Sequence, residues 1–226
     1  MVDSKLTTFN KLLIKKAPLL KCIFTTLILQ IIVTTVIVYM NHKNPYLVNK
    51  IVNINRFALF FLFLSSSIGI MLYMTMVEMP FAQRAVLFGV FSIIQGLLLS
   101  LITTRTSKKV VFNALISTFT IFMFFMLVGF VIVYNRIDLS WLGIYLLLTL
   151  LMVIIYRISS LFFQRNEKRE KYISLFVIFL FSLFILYDTN NIMLRYENTG
   201  VDCIRGSLDY YLDLLNIFAN SMRLNR

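Results

Sequence analysis

Charge is scarce in this chain of 226 residues: Asp, Glu, Lys and Arg make up 14% of it, where a soluble domain carries about 25%. Acidic residues are scarcer still, ten against 22 Lys and Arg. There are also only one histidine, one tryptophan, three prolines and two cysteines. Each shortage excludes something. A disordered chain needs low hydrophobicity and abundant charge, and a secreted disulfide scaffold needs dense cysteine. Cys22 and Cys203 stand far apart, without CxxC or Cys/His spacing, so neither a zinc site nor a disulfide framework can be argued and a structural or inert role is expected. No P-loop, dinucleotide glycine motif, nucleophile motif or EF-hand loop is present. No cofactor is expected.

What fills the chain is apolar: 59% of its residues, including 22 Phe. Crossing about 30 Å of hydrocarbon takes about 20 apolar helical residues. Six such runs stand out, at about 22–40, 57–76, 85–103, 110–134, 139–156 and 172–188, and a more polar seventh at about 204–222. Lipid offers no partner to open backbone groups, and the runs are too long and uniformly apolar for barrel strands, so they predict helices. The fold expected is an all-α integral membrane protein, a seven-transmembrane-helix bundle whose last helix is amphipathic and polar-striped. The breaks between runs, at Asn44-Pro45, Met79-Pro80, Thr103–Lys109, Asn135–Asp138 and Gln164–Lys171, are short. One membrane domain over residues 1–226 is the economical organisation.

The net charge of +12 sits in clusters between apolar runs, which points to lipid headgroups and not to nucleic acid. Lys5, Lys11, Lys15, Lys16 and Lys21 precede the first run as a signal peptide's basic region would, but the run is too long and lacks a cleavage site, so it is expected to stay as an anchor. Those lysines favour a cytoplasmic N-terminus, although seven spans then place nine Lys and Arg inside and thirteen outside.

After Tyr187 the composition changes. Asp202, Gly206, Asp209, Asp213, Asn216 and Asn220 recur at steps of four, three, four, three and four, which is one stripe along a helix. Leu208, Tyr211, Leu212, Leu215, Phe218 and Met222 take the remaining surface, for lipid or other helices to cover. A surface helix with a solvated polar face is the bland alternative. Against it, the stripe lacks lysines and follows directly on Asp188 at the end of an apolar span. Asp188, Asp209 and Asp213 together would cost roughly 8–10 kcal/mol if they faced lipid. They must face a partner or water. Two carboxyls close together in a low-dielectric interior share a proton, and the deprotonated pair repels itself and attracts a hard cation such as Ca²⁺. Asp188 with Asp213 is the favoured proton-sensing pair and transient Ca²⁺ ligand set; Asp209, Asn216 and Asn220 support it. Arg195, a heptad past Asp188, is a candidate counter-charge, with a solvated loop position as its plainer reading.

Leu180–Met193, LFSLFILYDTNNIM, followed by Gly206–Phe218, GSLDYYLDLLNIF, resembles the end of the transmembrane Bax-inhibitor-motif family, also called lifeguard proteins, which includes Golgi anti-apoptotic proteins. Asn113–Thr118 resembles the family's fourth span and Asp138–Gly143 its polar entry to the fifth. Similarity is good over about 110–224 and loose before. The resemblance implies seven helices in ER or Golgi membranes, a pH-sensitive Ca²⁺ leak and restraint of apoptosis, with the proton-sensing pair on Asp188 and Asp213. Some bacterial relatives latch an arginine after the second span onto the first aspartate; here Glu78, Met79 and Pro80 occupy that region and Arg84 is the nearest basic residue.

Two other classes compete. A non-conducting membrane protein could inhibit cell death by binding a regulator or another channel. Intramembrane aspartyl proteases also carry Tyr-Asp in a sixth span, but their GxGD element becomes Gly206-Ser-Leu-Asp209 here and their later Pro-Ala-Leu is missing, so no enzyme is expected. His42 reads as an exposed loop residue. Ser65-Ser66-Ser67 with Gly69, and Gly89 with Gly96, read as close helix packing, and Tyr134 and Trp141 as interface anchors.

Overall fold

The computed structural model describes residues 2–43, 56–77, 79–103, 106–160 and 166–225. The expected breaks at Asn44-Pro45 and Gln164, together with Glu78 and the His42 side chain, lie outside these residues. Seven helices and no strands occur among the described residues: α1 Val2–Lys43, α2 Arg56–Met76, α3 Phe81–Thr103, α4 Lys108–Tyr134, α5 Leu142–Ser160, α6 Glu167–Leu194 and α7 Gly200–Leu224. Stretches of five of them, Lys5–Asn41, Phe81–Thr103, Lys108–Tyr134, Leu142–Ser160 and Glu167–Leu194, are long and apolar enough to cross a membrane, and Ser65–Met74 of α2 is a shorter apolar stretch. The exposed surface confirms the solvent: Ile144, Leu147, Leu148, Leu151, Met152 and Ile155 of α5 all stand open, a patch that water would penalise and acyl chains would not. This is an all-helical integral membrane protein.

Three helices run differently from the sequence runs that mark them. α1 does not begin at Cys22 but at Val2, so at 1.5 Å per residue its 42 residues reach about 63 Å, twice the hydrocarbon thickness. The lysine-bearing first turns are good helix formers that hydropathy cannot see. α5 begins at Leu142 and not at 139, because Asp138 folds the entry into a turn: its Oδ1 accepts from the Ser140 amide at 2.9 Å and Leu142 N donates to Leu139 O at 2.9 Å. α6 passes through Asp188 and ends only at Leu194.

The chain forms two compact units. One comprises residues 1–20, 108–198 and 209–226, the other residues 21–107 and 199–208. The first is organised on α6, which buries fourteen residues from Ser174 to Met193. A Cβ on Gly129 of α4 would lie 2.8 Å from the Thr189 Cβ, and one on Gly143 of α5 would collide with the Tyr187 ring. Glycine at those two places lets helices approach closely. α4 ends at Arg136, whose φ of 59° is the left-handed conformation that lets Ile137 N reach Ile132 O at 3.2 Å and close the helix.

In the second unit, polar side chains join α1 to α3: Gln30 donates to Ser92 Oγ and Asn41 to Ser100 Oγ, each at 3.1 Å. Gly96 meets Ile37 directly, whereas a Cβ on Gly69 or Gly89 would meet nothing within 4 Å. The expectation of close packing therefore holds at Gly96 alone of these three, because only it is turned toward a neighbouring helix. Arg84 is buried, its guanidinium donating to Met74 O and Val77 O at the end of α2.

The cysteines are a correction. Cys22 on α1 and Cys203 on α7 are joined in a disulfide, with Cα atoms 5.7 Å apart across 181 positions of sequence. Sequence spacing gave no sign of it, since only the parallel packing of the first and last helices brings the two together. Ser207 continues the seam, donating to Ile23 O at 2.9 Å. Replacing Cys203 by Ser is expected to remove about 2–4 kcal/mol of stability, read as a lower unfolding temperature in detergent. Non-reducing peptide mapping should recover the Cys22–Cys203 cross-link, and full thiol labelling of unreduced, unfolded protein would contradict it.

Candidate functional site

The candidate site is built where α6 and α7 carry their acids. Asn166 caps the start of α6, its side chain accepting from Lys168 N at 3.1 Å and Arg169 N at 3.4 Å, with Glu167 and Glu170 in the first turn. Near the other end Asn190 clamps the α4–α5 turn, donating to Ile137 O at 2.8 Å and accepting from Leu139 N at 2.9 Å. Thr199 starts α7: its hydroxyl accepts from Asp202 N at 3.1 Å and donates to Asp202 Oδ2 at 2.9 Å. That is a capping arrangement, so Asp202 serves the helix start and is set apart from the rest of the stripe.

Between these fixed ends, Asp188 and Asp213 meet. Asp188 is 8% exposed and Asp213 3%, and their carboxyls lie close enough for a hydrogen bond between them. Asp213 Oδ2 has no hydrogen-bond partner among the described residues. A bond between two carboxyls requires a proton on one of them. Asp209 stands one turn earlier on α7, near enough to add its charge to the pair, and accepts from the Tyr196 hydroxyl at 2.7 Å. Tyr196 is itself held by Lys16 of α1, whose ammonium donates to its carbonyl. A flat surface helix with solvated carboxylates is thus overturned: α7 buries Asp213 and Asn220, and also Leu208, Tyr211, Phe218 and Met222 of its apolar face.

Sequence reasoning missed the aromatic prop beside the pair. Tyr210 is fully buried and packs edge-on against Phe122 at 5.2 Å. Its hydroxyl lies 2.9 Å from Thr189 Oγ1. Because the single Thr189 proton goes to Ile185 O at 2.7 Å, Tyr210 must be the donor. A tyrosine between two polar stripe residues was the available signal.

The amides of the stripe bond back to their own helix: Asn216 Nδ2 donates to Leu212 O at 2.8 Å and Asn220 Nδ2 to Asn216 O at 2.7 Å. Their side-chain oxygens are left for other partners, and Arg157 of α5 takes that of Asn220 at 2.7 Å. Arg195 is a correction. Its guanidinium pairs with Asp138 at 3.4 Å, both side chains about half exposed, because the α6 C-terminus turns it toward the α4–α5 loop and away from the counter-charge role imagined for Asp188. The Ser140 amide, with Arg195 adding to it, holds the Asp138 carboxyl below the usual range.

The arrangement can hold a proton between two helices. Among the described residues no group of three or more His, Cys, Asp or Glu is placed to hold a metal ion, so Asp188 and Asp213 form no resident metal cage. Filling the α4–α6 contact should loosen the site: Gly129→Val is expected to lower the unfolding temperature in detergent more than Tyr210→Phe. The first forces repacking against Thr189, at about 1–3 kcal/mol, and the second loses one buried hydrogen bond, about 1 kcal/mol. A Gly129→Val protein as stable as the parent would contradict the close approach.

Residues 17–224 are similar to the family described as Inhibitor of apoptosis-promoting Bax1. Among individual proteins of Arabidopsis thaliana, LIFEGUARD 4 is 25% identical over 132 residues, 58% of this chain and 53% of that protein. LIFEGUARD 3 is 23% identical over 181 residues, 74% of this chain and 71% of that protein. A BI1-like protein is 26% identical over 141 residues, 62% and 54% of the respective lengths. The chain thus spans about half the length of LIFEGUARD 4 and of the BI1-like protein.

Proposed function

We propose, from the premise that this chain belongs to the family Inhibitor of apoptosis-promoting Bax1, that it restrains cell death from ER or Golgi membranes by letting Ca²⁺ leak from the store under control of pH. The observation that carries this reading is the buried contact between Asp188 and Asp213. Family membership supports the anti-apoptotic role, and the names LIFEGUARD and BI1-like of the similar plant proteins agree with it.

The mechanism follows from the shared proton. Protonated, the pair ties α6 to α7 through a hydrogen bond and closes the way along the α7 stripe. Deprotonated, two like charges in a low-dielectric interior repel, the helices part, and the freed oxygens present a hard anionic site to Ca²⁺. Asp209 adds negative charge next to this point, and Asn216 continues the polar line. Repulsion across the deprotonated pair makes flux rise with pH in this reading, and Arg195 is engaged with Asp138.

Proteolysis is disfavoured by the pairing. The aspartate that matches the protease element is Asp209, which is bonded to Tyr196, whereas Asp188 meets Asp213. A non-conducting inhibitor that binds a cell-death regulator or another channel is the remaining alternative, and it needs no carboxyl pair.

Purified protein in liposomes loaded with a Ca²⁺ dye tests the reading. Flux is expected to climb several-fold as the pH is raised from acidic to alkaline, across the loss of the proton that a coupled carboxyl pair shares. Asp188→Asn with Asp213→Asn should leave flux low and flat across that range. A wild-type flux that ignores both pH and the double substitution rejects the gate. Protection of cells that survives the double substitution favours the partner-binding alternative.

A further inference from the structure

We infer that Arg157 is a built-in plug at the far end of the cation path, a tethered cation seated in the last oxygen of the α7 stripe; this rests on the leak reading above. The one-sided character of α5 is the starting point. Leu146 is its one buried residue, and lipid-exposed side chains cover most of the rest. Arg157, in the last turn, lies on the half-covered side, its side chain 26% exposed. Its guanidinium donates to Asn220 Oδ1 at 2.7 Å, and its nearest acid is Glu170 of α6 at 4.0 Å. Asn220 is 5% exposed, so the charge is bonded to a buried neutral amide more closely than to the carboxylate.

That choice of partner is informative. An arginine placed only to be neutralised would take Glu170 in a two-pronged pair, whereas this one reaches past it to the stripe. Asn220 has spent its own NH₂ on Asn216 O, so its oxygen points away from the helix as a cation ligand. Seven residues separate Asn220 from Asp213, about 10 Å along the axis. A cation leaving the carboxyl pair along this line passes Asn216 and meets a fixed positive charge in the last oxygen site, that of Asn220. Arginine keeps its charge at every physiological pH, so the plug is permanent and sets the conductance of the open state, separately from the proton gate.

A unit charge about 10 Å from the binding carboxyls, at the effective dielectric of about 20 found inside proteins, changes the occupancy of a divalent cation by more than about a hundredfold, so an effect of about tenfold on flux is the lower bound. Arg157→Gln, which removes the charge but can still donate to Asn220, is expected to raise Ca²⁺ flux at least about tenfold in dye-loaded liposomes at neutral pH. Arg157→Lys should restore near wild-type flux, and Asn220→Ala, which removes the seat, should raise flux without touching the arginine. The pH midpoint of the flux should stay where it is in all three. Rescue by lysine separates plugging from a merely structural role. If wild-type protein conducts and Asp213→Asn changes its pH response, yet Arg157→Gln and Asn220→Ala leave flux unchanged or lower, the plug is wrong and the leak reading stands. If none of the proteins conducts, both fall.

Discussion

A bilayer has nothing to offer a carboxyl, and that constraint organises the C-terminal third of this protein. Placing an ionised aspartate in hydrocarbon costs about 2.5–3.5 kcal/mol even on lenient insertion scales, so α7, with Asp209 and Asp213 in mid-helix, is unfit to face lipid. It is packed away, and Asp213 is placed against another acid, Asp188. In the proposed reading, the contact that lets α7 stay buried is also the one that answers to proton concentration.

The surroundings of the pair are correspondingly stiff. On α6, four consecutive buried residues have separate tasks: Asp188 meets α7, Thr189 accepts from Tyr210 and fills the notch at Gly129, Asn190 clamps the α4–α5 turn, and Asn191 O takes the amides of Arg195 and Tyr196 that end the helix. Successive side chains on a helix point about 100° apart, so the first three of these residues reach three directions while the Asn191 carbonyl closes the helix end. An apolar helix that turns polar in all directions near one end reads in the sequence as a span running out. In the structure it is a junction.

How far the sequence shows this depends on the kind of signal. Six apolar runs and the three-four stripe are periodic, local and strong, and they map onto six helices and onto α7, whose stripe and apolar face are both partly buried. Asp188 and Asp213 were legible because a charged residue in a span has so few acceptable surroundings, and the resemblance of the last two runs to a known family pointed to the same residues. What stayed hidden was long-range or non-periodic. The Cys22–Cys203 bridge depends on α1 and α7 running side by side, which 181 residues of intervening chain do not announce. The helical extension of α1 back to Val2 is invisible to hydropathy. Arg157 carries no pattern of its own in the sequence, and only the side of α5 on which it falls reveals Asn220 as its partner.

These ties limit how the proposed gate can move. α7 is fastened near its start by the Thr199 cap, the bridge at Cys203 and the Ser207 bond to Ile23 O, and near its end by Arg157 on Asn220. A rigid slide of the whole helix would break several of these for the sake of one carboxyl contact. Loss of the shared proton therefore has its cheapest outlet in the segment between the fastenings, about Asp209 to Asn216, by a local change in the side chains and turn around Asp213. Such a motion leaves the cap, the bridge and the far-end cation in place. Opening at the carboxyls and passage at the far end then become separate steps, controlled by different residues, and only the first answers to pH.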